Sequence, residues 1–112
     1  MIELARRSCV PCRGGVPPME RAEAEKLLSQ LGGGWELAEV SPGVTGLRKT
    51  YRFKDFREAL DFVDRIGAIA EEQGHHPDIA LSWGRVAVEI WTHKIKGLTE
   101  SDFIFAAKCE NA

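Results

Sequence analysis

The chain of 112 residues carries only three histidines, and two of them, His75 and His76, stand side by side in "EEQGHHPDIALSW", just ahead of Pro77. Imidazole ionises near pH 6.5, so it is the side chain best suited to give or take a proton at neutral pH. A helix end needs one cation or one cap at most, so a doublet followed by proline asks for a further explanation. The third histidine, His93, lies beyond the next strand pattern. Three imidazoles gathered at one place would make a proton-handling cleft rather than a helix terminus.

The elements that must gather them are legible. "MERAEAEKLLSQL" sets Ala24, Leu27, Leu28 and Leu31 on one face and ends at "GGG", which predicts a short amphipathic helix. "WELAEV" and "LRKTYRF" read as strands joined through "SPGVTG", with Leu47, Tyr51 and Phe53 alternating; Lys49 breaks the alternation, so either that face is not fully buried or Lys49 snorkels from it. Asp55 is placed as an N-cap, with Glu58 completing a variant capping box. From there Phe56, Ala59, Leu60, Val63, Ile66 and Ala70 recur at helical spacing up to Gly74, a C′ glycine. "DIALSW" and "RVAVEIWT" predict a hairpin, and "GLTESDFIFAAKCE" a last helix with Thr99 as N-cap and Asp102 at N3. Short turns make each strand pair antiparallel. The expected fold is therefore α+β: a four-stranded antiparallel sheet with three helices packed on one face, in the order α-β-β-α-β-β-α.

The hairpin allows a calculation. If Gly84 and Arg85 form the loop, as a type II′ turn favours, Trp83 faces Val86, Leu81 faces Val88 and Ile79 faces Ile90, all apolar and all on the core face. Continued backward, Pro77 faces Thr92 and His76 faces His93. Directly opposed residues hold their Cβ atoms about 4.5–5.5 Å apart, so these two imidazoles would serve one ligand on the side away from the core, along with Trp91. Trp83 is expected to pack in the core.

Composition excludes several classes. The length suits one domain, and we divide it into an irregular arm over residues 1–18 and a single domain over residues 19–112. A formal net charge of −2 gives no basic surface for nucleic acid. No apolar run approaches the roughly 18 residues needed to cross a bilayer, and "MIELARRSCV" lacks the apolar stretch of a secretory signal. We therefore expect a cytoplasmic protein with no membrane partner. Cys9 and Cys12 form a single CxxC in the arm. It is half a zinc site, a redox pair, or simply two thiols on a tail, and the last is favoured because no second CxxC supplies further ligands.

Glu71-x-x-x-His75-His76-Pro77, with Trp83, His93 and Asp102 following, resembles the signature of the pterin-4a-carbinolamine dehydratases. "GGGW" around Trp35 and "GLTESD" before the last helix are similar to that family's motifs as well. The resemblance covers roughly residues 18–108. It implies removal of water from a 4a-hydroxytetrahydropterin to give quinonoid dihydropterin, in support of cofactor recycling after an aromatic amino acid hydroxylase has acted. It also implies a homodimer or homotetramer. On this reading His76 and His93 act as acid and base in an order left open, and His75 binds or polarises the pterin. Trp35, Glu71, Pro77, Thr92 and Asp102 are placed at the substrate, although core packing is the more frequent fate of a strand Trp such as Trp35, and Asp102 either orients a histidine or, equally, starts the helix. A carbinolamine loses water with help from the adjacent nitrogen lone pair, so neither metal nor cofactor is expected. The alternatives are a non-catalytic dimerisation or interaction protein, as animal relatives also are, and a zinc-binding module using Cys9 and Cys12.

Overall fold

The computed structural model describes residues 4–6 and 17–112. The elements are α1 (Arg21–Leu31), β1 (Glu36–Ser41), β2 (Val44–Arg52), α2 (Phe56–Gln73), β3 (Asp78–Ser82), β4 (Arg85–Ile90) and α3 (Glu100–Glu110). The strands form one antiparallel sheet in the order β1-β2-β4-β3. Leu47, Val86, Val88 and Ile90 point from one sheet face into a core shared with Ala59, Phe62 and Ile66 of α2 and Phe103 and Phe105 of α3. The α-β-β-α-β-β-α order and the α+β class are those expected.

α2 starts and stops where its end residues dictate. Asp55 caps it by accepting the Glu58 N–H at 2.9 Å, and the Glu58 carboxylate in turn accepts the Lys54 N–H at 3.2 Å, one residue upstream of a standard capping box. Gly74 closes the helix in the left-handed conformation, φ 64°. Its buried stripe is Ala59, Phe62, Ile66 and Ala70. Phe56, expected on that stripe, is 42% exposed. Phe62 takes the central place because it lines up with positions 59, 66 and 70, whereas Leu60 and Val63 sit at the margins.

The β3–β4 hairpin corrects the expected register by two residues. Ser82 pairs with Arg85, Leu81 with Val86, Ile79 with Val88 and Asp78 with Glu89, so Trp83 and Gly84 form the turn. A shift of two preserves which face each side chain occupies, so the core set survives although its partners change. Trp83 does not survive: it lies at the turn and is 70% exposed. The glycine misled for a physical reason. Gly84 is not there for a positive φ; a Cβ on it would stand 2.6 Å from the Phe53 carbonyl oxygen, and its own carbonyl accepts the Phe53 N–H at 2.8 Å. The hairpin tip is seated against the end of β2.

Part of the N-terminal arm is packed: Leu4–Arg6 forms a single 3-10 turn with Leu4 buried, and Lys108 Nζ donates to the Ala5 carbonyl at 2.8 Å. Cys9 and Cys12, and with them the zinc-module alternative, lie outside the described residues.

Of the two readings of Lys49, snorkelling is the one seen. Its ammonium lies 4.4 Å from the centre of the Tyr51 ring and reaches both oxygens of Glu110 at 2.8 Å, at the end of α3. Glu110 also accepts from Trp35 Nε1 at 3.2 Å and from the Tyr51 hydroxyl. Burial, followed by the hydrogen bond to Glu110 and its negative charge, pushes the Tyr51 phenol far above its ordinary range.

Two outcomes follow. The fold favours the neutral phenol, so this stabilisation is complete below about pH 10 and is lost only as ionisation is forced. Tyr51 is the only tyrosine in the chain, so an alkaline ultraviolet titration should show no tyrosinate until the protein unfolds; native protein half-ionised near pH 10 would refute the contact. Gly84→Ala should destabilise by about 1–3 kcal/mol in urea unfolding, whereas an unchanged midpoint would contradict the seating of the hairpin tip.

Candidate active site

The left-handed turn at Gly74 aims the two adjacent histidines in different directions. The His75 N–H donates to the Ala70 carbonyl at 3.2 Å, which folds the chain back over the last turn of α2. Pro77 biases His76 to an extended backbone, and β3 begins directly afterwards. Neighbouring side chains of an extended segment point to opposite sides, so each imidazole meets its own carboxylate.

The His75 ring enters the protein. It is 12% exposed, its centre lies 6.0 Å from that of Phe105, and Nε2 stands 2.6 Å from Asp102 Oδ1. Asp102 is fully buried. Its other oxygen, Oδ2, accepts the Thr99 N–H and the Thr92 hydroxyl, each at 2.8 Å. With Oδ2 taken by two donors, Oδ1 is the oxygen left to His75; an ionised carboxylate only accepts, which would put the shared hydrogen on Nε2 and leave Nδ1 to other partners. The same carboxylate thus caps the start of α3 and pairs with the His75 ring.

His76 makes the second pair, with Nε2 2.6 Å from Glu71 Oε2, one helical turn back on α2. This pair is open to water, the side chains being 60% and 80% exposed. The two dyads share a geometry and differ in environment. One is enclosed by the fold, and the other lies open to solvent.

His93 does not oppose His76. The observed register, continued past Asp78↔Glu89, brings Trp91 across from His76 instead. β4 ends at Ile90, and His93 sits in a tight loop closed by the Thr92 N–H to the Gly97 carbonyl at 2.9 Å. Gly97 is needed there because a Cβ would stand 2.4 Å from Pro18 Cβ. The exposed His93 ring meets the Trp91 ring at 4.0 Å between centres and 65° between planes, and Trp91 Nε1 donates to Asp78 Oδ2 at 3.3 Å. The link between His93 and His75 is therefore indirect, through Thr92, whose hydroxyl reaches Asp102.

The remaining candidates separate. Pro77 is half-buried beside the doublet. Thr92 is buried and faces Gly97 and Asp102, not Pro77. Trp35 is buried at the opposite end of α3, edge-on to Tyr51 at 6.2 Å, and packs in the core instead of beside the histidines. Sequence reasoning missed Asp78 and the backbone of Thr99. Asp78 was detectable, since strand alternation puts it on the outer face with Trp91 in either register. Among the described residues no cluster of three or more His, Cys, Asp or Glu is arranged to hold a metal ion, and no helix is long and apolar enough to cross a membrane.

Comparison with known proteins bears on family and fold. The sequence profile described as pterin 4 alpha carbinolamine dehydratase matches residues 17–112. A Rubrobacter xylanophilus protein with the provisional name pterin-4-alpha-carbinolamine dehydratase is 56% identical over 110 residues, spanning 98% of each chain. A Rickettsia canadensis protein of the same provisional name is 51% identical over 111 residues, spanning 99% of this chain and 98% of its own. These spans take in the N-terminal arm as well as the domain. The crystal structure of a transcriptional coactivator/pterin dehydratase from Brucella melitensis superposes with a TM-score of 0.75 at 29% identity, over 84% of this chain and 96% of that one. A pterin dehydratase-like RuBisCO assembly factor of the alpha-carboxysome, 23% identical with a TM-score of 0.59, shares the fold. The profile runs unbroken from α1 to α3 and half of all positions are identical in relatives of full length, so the chain belongs to the pterin-4a-carbinolamine dehydratase family.

Proposed function

We propose that this protein removes water from 4a-hydroxytetrahydropterin, yielding quinonoid dihydropterin, and that its three histidines carry the reaction. The observation that supports this most is the buried Asp102 carboxylate, which ties His75 to Thr92, the residue next to His93.

The chemistry requires two proton transfers. An imidazolium protonates the C4a hydroxyl as the C4a–O bond breaks, so that water leaves. The N5 lone pair forms the C4a=N5 double bond, and a neutral imidazole takes the N5 proton. The acid ends one proton short and the base one proton richer, and exchange with water resets both. His76 and His93 suit these roles because both are open to solvent, and the Glu71 carboxylate orients His76. His75, held through Nε2, offers Nδ1 as a fixed hydrogen-bonding partner for the pterin. Trp91, fixed by Asp78, supplies an apolar surface beside His93. The quinonoid product must be reduced before the pterin can serve an aromatic amino acid hydroxylase again, so the step belongs between hydroxylation and reduction.

The test is stopped-flow dehydration of a chemically prepared 4a-hydroxypterin with and without the protein. Acceleration is expected. A folded protein that leaves the spontaneous rate unchanged would overturn the proposal in favour of a non-catalytic interaction role. His93→Ala should slow the reaction by about 10²–10⁴-fold, roughly 3–5 kcal/mol in the barrier. Glu71→Gln should lower kcat less than His76→Ala does, because it removes only the orienting partner.

A further inference from the structure

We infer that Thr92 is a positioning residue that couples two of the histidines: its hydroxyl sets the Asp102 carboxylate that holds His75, while its backbone closes the loop that carries His93. The inference rests on the dehydratase reading for its kinetic consequence, but not for its structural one.

Thr92 lies outside the strands, yet it is buried, and every polar group on it is engaged in the site's framework. Its N–H donates to the Gly97 carbonyl at 2.9 Å, and its own carbonyl accepts from Ile95 N at 3.1 Å and Lys96 N at 2.9 Å. These bonds make the tight turn in which Lys96 takes a positive φ of 56° and from which His93 projects. The hydroxyl donates to Asp102 Oδ2 at 2.8 Å and lies 3.1 Å from Thr99 Oγ1. Asp102 Oδ2 is thereby filled by two donors, the Thr99 N–H being the other, and Oδ1 is the oxygen left to His75. A buried carboxylate with all its donors in place has one orientation. Without the Thr92 hydroxyl, Oδ2 has a vacant acceptor site, and the carboxylate can turn relative to the imidazole. Thr92 therefore need not touch the pterin to affect the reaction. The family resemblance placed Thr92 at the substrate; its hydroxyl instead faces the buried carboxylate that holds His75.

Thr92→Val keeps the shape and the backbone but removes the hydroxyl, whereas Thr92→Ser keeps the hydroxyl and removes the methyl. In Thr92→Val, kcat should fall about 10- to 100-fold with KM within about twofold, because an ordered ring is lost and not a substrate contact. Thr92→Ser should restore most of the rate. Ring-nitrogen NMR separates this from a packing defect. Wild-type His75 should show the single Nε2–H tautomer, Thr92→Val should populate both tautomers, and the His93 signals should stay in place because the Thr92–Gly97 bridge is backbone. The inference is overturned if His75 in Thr92→Val keeps one tautomer and full kcat, or if Thr92→Ser is as impaired as Thr92→Val. Should Thr92→Val not fold, mixed tautomers in the wild-type protein would overturn it equally. A wild-type protein without dehydration activity would sink the dehydratase reading alone, since the nitrogen spectra decide the positioning claim by themselves.

Discussion

A carboxylate removed from water must find its donors inside the protein or become protonated, and Asp102 is removed from water completely. Its donors come from three separate stretches of chain: the backbone of Thr99 at the start of α3, the hydroxyl of Thr92 after β4, and the ring of His75 after α2. None of these segments belongs to a strand, and nothing in the sheet ladder fixes one against another. The carboxylate does so. Because the acceptor is buried, each bond is worth more than it would be in water, and no water stands ready to replace a missing donor. The same requirement that starts α3 therefore also orients the imidazole, so folding and site assembly are a single event at this point.

The other end of α3 has an answering arrangement. Glu110 gathers Lys49 and Tyr51 from β2 and Trp35 from the position just before β1. From Ser101 to Ala106 every residue of α3 is buried. That stretch has no face left for water, being covered by α1, by α2, by the sheet and by the 3-10 turn at Leu4–Arg6. α3 is thus tied by a carboxylate at each end and enclosed over its first half. The His75 ring is therefore held by a buried turn packed on several sides, which fixes its orientation.

The outer face of the sheet positions the exposed half of the site. Pairing aligns Glu36, Arg48, Glu89 and Asp78 in one row across all four strands, with Arg48 Nη2 2.6 Å from Glu89 Oε2. Solvent-exposed ion pairs add little stability, about 0–1 kcal/mol, but this row ends at Asp78, which fixes the indole of Trp91 against His93. The buried route through Asp102 and the exposed route through Asp78 meet in the segment Trp91–His93. Environment then divides the labour among chemically identical rings, with His75 enclosed and His76 open to water.

Local rules were sufficient for much of this. Helical spacing located α2, the Asp55 cap and Gly74 marked its ends, and strand alternation identified the core face of the hairpin, because each of these depends on residues within a turn or two of one another. The signature residues from Glu71 to Asp102 were also visible in the chain, as was the placing of Asp102 at N3. What the sequence could not supply was set by contacts between distant backbones. The hairpin turn fell at Trp83 and Gly84 because Gly84 is pressed against the carbonyl of Phe53, a proximity that no local pattern encodes. That shift of two residues dissolved the direct pairing of His76 with His93. In its place the tertiary structure joins the histidine segments through one buried carboxylate, whose three donors are neighbours only once α3 has docked.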